Sequence, residues 1–113
     1  MSESATWLEF LESRGVSLDA LGLAERALGR EDALRAVDLV ESEGGTVLGG
    51  DVYVEDGDRI ENVYANWYSE RRDDEPNTSF ATRTCLESRA YIAKYPDPPQ
   101  GRALFALVVA HGT

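Results

Sequence analysis

The chain has 113 residues, 42% apolar content and a single cysteine, Cys85, which suits one packed domain over residues 1–113 and excludes a disordered or disulfide-stapled chain. Its net charge of −10, from 21 acidic against 11 basic side chains, argues against nucleic acid and anionic lipid and favours a basic protein as partner. The longest strongly apolar run, ALFALVVA at 103–110, falls far short of the about 20 residues that a membrane helix needs.

In chain order, Thr6-Trp7-Leu8-Glu9 has the spacing of a capping box, and Trp7, Phe10 and Leu11 share the face of a short helix that Gly15 ends. Ser17 caps a second turn carrying Leu18 and Leu21. Residues 23–43 read as helical with a break at Gly29. The better half, REDALRAVDLVESE, has acids in its first turn and an apolar stripe of Ala33, Ala36, Val37 and Val40, and Gly44-Gly45 stops it.

TVLGGDVYV then reads as a strand, EDGDR as a turn with Gly57 free to take positive φ, and IENVYANWYS as the returning strand. ERRDDEPNTS reads as a charged loop, since Pro76 and Asn77 oppose regular structure. Thr84-Cys85-Leu86-Glu87 has the capping-box spacing again and opens a helix to about Tyr95. DPPQG is a loop, and ALFALVVA, apolar at both parities, is a central strand covered on both faces. The class expected is α+β: N-terminal helices, a β-hairpin, one further helix and a C-terminal central strand in a small, mainly antiparallel sheet. Strand order does not follow from the pattern.

Polarity selects among hairpin registers, because a one-residue slip sends every side chain to the opposite face. Two- and three-residue turns mix core and solvent positions. A four-residue loop at residues 56–59 pairs Val52 with Val63, Gly50 with Ala65 and Leu48 with Trp67. Leu48, Val52, Val54, Val63, Ala65 and Trp67 then share one face, and Asp51, Tyr53, Asn62, Tyr64, Asn66 and Tyr68 the other, with Glu55 at the same parity. Tyrosine gives rigid contact area with a polar tip and is enriched at interfaces. The expected partner-binding residues are therefore Asp51, Tyr53, Glu55, Asn62, Tyr64, Asn66 and Tyr68; the alternative is that another helix covers this face and the tyrosines pack beneath it. Gly49-Gly50 marks a bulge or a close backbone approach.

Several chemistries drop out. The only lysine, Lys94, follows no glycine loop, so there is no P-loop, and neither GxGxxG, GxSxG nor HExxH occurs. Counting back from Gly57 puts Val52 where a calcium loop needs Asp, and a lone cysteine cannot build a zinc site. His111 lies near the C-terminus, where chains usually fray, and a catalytic histidine needs a held geometry. Cys85, in the first turn of its expected helix, reads as a small core residue rather than a reactive thiol. Asp51 with Glu61 or Asp58 could form a carboxylate pair, but among so many acids such neighbours arise by chance. No cofactor or metal is expected. MSESATWLEF has no basic n-region or cleavage site, which with the lone cysteine points to the cytoplasm.

LGGDVY, Asn66-Trp67-Tyr68, then Thr84…Tyr91-Ile92…Tyr95 on a helix and an apolar final strand together resemble immunity protein family forty over roughly residues 40–110. The chain departs from that pattern in having Thr84 for Ser and Ser88 for Ala. The resemblance implies a small cytoplasmic protein, encoded beside a bacterial polymorphic toxin, that neutralises the cognate toxin by binding it. It names no toxin and carries over no interface residues. The acidic charge and the aromatic-polar face agree with an inhibitor of a basic enzyme such as a nuclease. The competing classes are a small acidic enzyme and a homo-oligomeric module in which the tyrosine face binds itself.

Overall fold

The structure, a computed structural model, describes residues 6–111; residues 1–5, part of the stretch read above for a leader, and residues 112–113 lie outside it. Its elements are helix α1 (Trp7–Arg14), β1 (Val16–Ser17), a 3-10 turn at Asp19–Leu21, β2 (Arg26–Gly29), α2 (Arg30–Ser42), β3 (Gly45–Asp56), β4 (Arg59–Tyr68), α3 (Asn77–Lys94) and β5 (Arg102–His111). The described strands form one antiparallel sheet in the order β1-β2-β5-β3-β4. The fold is α+β, with the C-terminal strand central as its double-sided apolar pattern requires. No described helix is long and apolar enough to cross a membrane.

The expected capping box at α1 is present: Glu9 N–H donates to Thr6 Oγ1 at 3.1 Å, and Glu9 Oε1 accepts from Thr6 N–H at 3.1 Å. The expected helix over residues 23–43 is corrected in its first part. Arg26–Gly29 is a strand, pairing with β1 on one side and β5 on the other. Arg, Ala and Leu are good helix formers, so local preference favoured helix; pairing with the apolar β5, which buries Ala27 and Leu28, outweighed it. From Arg30 the helix runs as expected, burying Ala33, Ala36, Val37 and Val40.

Helix α3 also differs, starting seven residues before the expected Thr84, at Asn77 with Pro76 as its N-cap. Pro76 sits where no helical N–H is needed, so the residues taken as breakers are start signals. Thr84 is therefore a buried mid-helix residue whose hydroxyl donates to the Ala81 carbonyl, not a cap. Arg83 ties the preceding charged segment down: it donates to Glu75, Glu87 and the Glu70 carbonyl. Its hydrogen bonds hold the Glu75 carboxyl down to a pKa of about 2.

The sheet has two cores. On the helix side, Val47, Val52, Trp67 and Phe105 meet Ala33, Val37, Val40, Cys85 and Ile92 from α2 and α3. On the other side, Ala27, Tyr53, Leu104 and Ala106 of the sheet cluster with Leu18, flanked by Val16, Leu23 and Ile60. The segment around the 3-10 turn thus covers part of the face that the helices leave open.

Candidate partner-binding surface

The surface is built on β4, the outer strand of the sheet, and begins with its register. From Tyr53 to Asp56 the pairing is Tyr53↔Asn62, Val54↔Glu61, Glu55↔Ile60 and Asp56↔Arg59. This is the expected register carried one pair further, which shortens the turn from the expected four residues to Gly57-Asp58, with Gly57 at φ +63°. Beyond Val52 the register shifts: Val52 faces Ala65, Gly50 faces Trp67 and Gly49 faces Tyr68. Val63 and Tyr64 are looped out between the two segments. The expected pairs Val52–Val63, Gly50–Ala65 and Leu48–Trp67 are corrected by that slip.

The slip is an even number of residues, so the faces keep their identity from Gly50 to Tyr68, but a second shift in β3, between Val47 and Gly49 against β5, puts Val47 in the helix-side core in place of the expected Leu48. Trp67 still points to the helices. Its ring stacks on Tyr91 at 4.6 Å between centroids, and its Nε1 donates to Ser88 Oγ at 2.9 Å. Gly50 must lie beneath it, since a Cβ there would come within 2.5 Å of Trp67 Cη2. Gly49 approaches the Trp67 backbone just as closely, the role expected of this glycine pair. Val63 does not join the core as expected; the bulge leaves it partly exposed.

The expected binding residues divide. Tyr64 is 84% exposed and Tyr68 59%, and Asn62 and Asn66 are also exposed. Asp51 is half-buried opposite Asn66. These five make a band of four residues on the outer strand and one, Asp51, on its neighbour. Tyr53 does not lie open with them: it is 3% exposed and covered, not by a further α-helix as the alternative had it, but by the segment around Leu18 and the 3-10 turn. Burial, with the nearby charges of Glu25 and Asp51, pushes its hydroxyl pKa up. Glu55 is half-buried and engaged, accepting from Arg102 Nε at 2.8 Å.

Tyr64 takes a left-handed backbone conformation, φ +62°, at the bulge, and its N–H donates to Asn62 Oδ1 at 2.7 Å. Sequence reasoning missed this feature. The Asn62-Val63-Tyr64 triplet was its only local signal, since asparagine side chains bond backbone two residues on. Also missed was a cleft of about 490 Å³ between α1 and β2, lined by Trp7, Leu8, Glu12, Glu25 and Leu107 among others.

Among the described residues no group of three His, Cys, Asp or Glu could hold a metal ion. Cys85 is buried in mid-helix rather than in a first turn, and burial pushes its thiol pKa up, so it is the core residue expected. The backbone of His111 pairs with Gly45 at the end of β5; its side chain lies outside the described part. A protein-family model described as Immunity protein 40 matches residues 17–109. No curated protein and no solved structure matches.

Proposed function

We propose that this chain, which belongs to the Immunity protein 40 family, binds and neutralises a cognate bacterial toxin domain, using the whole of residues 1–113 as one domain. The proposed partner is basic, of the kind a nuclease presents, and the mechanism is occlusion of its active surface by the band Asp51, Asn62, Tyr64, Asn66 and Tyr68. Tyr53, covered by the Leu18 segment, and Glu55, bonded to Arg102, lie outside the proposed contact set. The chain acts as an inhibitor and not as an enzyme, needs no cofactor, works in the cytoplasm, and has neither nucleic acid nor membrane as partner.

One observation carries the choice of surface: two tyrosines stand exposed on an outer strand that Trp67 ties to the core. Exposed aromatics on a rigid base lose little conformational entropy on binding and make effective anchors. The net charge of −10 supports a basic partner by steering encounter. The test is co-expression with the toxin domain encoded beside this gene. Growth should be restored, and the two proteins should co-elute in gel filtration; no rescue and no complex would overturn the reading.

A further inference from the structure

The reading above leaves open which residue of the band anchors the partner and what it meets there. We infer that Tyr64 is the anchor, that the Asn62 carboxamide is the residue positioning it, and that the ring receives a guanidinium or ammonium group from a cationic cleft of the toxin; this inference rests on the proposed function.

The backbone gives the first argument. Tyr64 occupies the left-handed region at φ +62°, which side chains with a Cβ adopt at a cost. The core gains little from its ring, which is 84% exposed. Strain of this kind persists where the surroundings impose it and concentrates at ligand-contacting sites. The surroundings here are specific: Asn62 Oδ1 holds the Tyr64 N–H at 2.7 Å, the ladder resumes at Ala65 opposite Val52, and Trp67 fixes the strand to α3. The bulge thus presents one aromatic side chain outward from a fixed base. Bulges re-aim side chains in this way and also blunt a sheet edge against indiscriminate strand pairing.

Charge gives the second argument. The one basic residue of β4, Arg59, is paired with Glu61 at 3.0 Å. Asp51 stands across the ladder from Asn66, and Asp56 and Asp58 stand at the hairpin end. An aromatic face is itself negative and attracts cations. A second copy of this chain, also carrying −10, would bring the same acids to the same edge. A partner with a cationic cleft is the complementary occupant.

The test measures affinity for the toxin domain encoded beside this gene, by calorimetry at two salt concentrations, with thermal stability read in parallel. Tyr64→Ala should weaken binding about thirty-fold or more with the melting temperature kept. Tyr64→Phe should stay within about threefold, whereas Tyr64→Leu, which keeps apolar bulk without the π face, should lose about tenfold. Asn62→Ala should cost several-fold, and Asn62→Asp, which keeps an acceptor for the Tyr64 N–H, should restore affinity. Tyr64→Gly relieves the backbone strain, so it should melt no lower than wild type while binding as poorly as Tyr64→Ala; a merely structural residue would not separate the two readouts. A wild-type complex with unchanged affinity in Tyr64→Ala overturns the inference and leaves the proposed function standing, as does Leu binding as well as Phe. Absence of any wild-type complex overturns both. A dimer of the chain alone that Tyr64→Ala dissolves would identify the edge as a self-interface and overturn the inference.

Discussion

Trp67 and Tyr64 belong to the same strand, and their environments are opposite. The indole is 9% exposed, stacked on Tyr91 and bonded to Ser88; the phenol is 84% exposed, on a backbone turned left-handed. Both are large aromatics, so composition does not separate them. The bulge does, setting the looped-out Val63 and Tyr64 apart from the segment that Trp67 ties to the core, so that β4 has an anchored part and a presented one. Rigidity in the first makes presentation by the second inexpensive in entropy, because the anchor's backbone is already ordered before a partner arrives.

The comparison can be broken most severely at Trp67. Trp67→Ala removes the stacking on Tyr91 and leaves a cavity against α3, and should destabilise the fold by about 3–5 kcal/mol in urea denaturation. A loss below about 1 kcal/mol would mean that the inner segment is not the base described. Gly50→Ala should cost about 1–3 kcal/mol by the same measurement, since its Cβ would crowd both Trp67 and the Ala106 carbonyl oxygen, a backbone atom that cannot move alone.

A titration comes next, and it tests the loop that follows β4. Glu75 is held near a pKa of about 2, chiefly by hydrogen bonds from Arg83, against about 4.5 in an unfolded chain. A depressed carboxylate contributes stability above its unfolded value and loses it as pH falls through the folded one. Stability should therefore decline between about pH 4.5 and pH 2, and Arg83→Met should flatten that decline. The same slope in both proteins would show that other carboxylates govern acid unfolding. The smallest effect is at the presented tyrosine: Tyr64→Gly should leave stability unchanged or raise it by up to about 1 kcal/mol, as relief of a left-handed side chain is offset by glycine's unfolded-state entropy. A loss beyond about 0.5 kcal/mol would place Tyr64 among the packing residues instead.

Much of this was legible in the chain itself. The period-two pattern assigned Val52 and Trp67 to one face and Asp51, Asn66 and Tyr68 to the other, and that assignment survived a register error because the slip was even. Gly49 and Gly50 announced the close approach that the indole makes. Tyr53 was not legible: parity correctly placed it on the face opposite the helices, but nothing in the hairpin says that Leu18, far away in sequence, would cover it.

Periodicity and contacts within a few residues were enough for the class, the central place of β5, the capping of α1 and the facing of the hairpin from Gly50 to Asn62 and from Ala65 to Tyr68. Long-range pairing and packing were needed to make Arg26–Gly29 a strand, to bury Tyr53 and to leave β4 at the edge with Tyr64 exposed. Those outcomes depend on pairing and burial between distant segments, whose energies exceed the local preferences that a sequence displays.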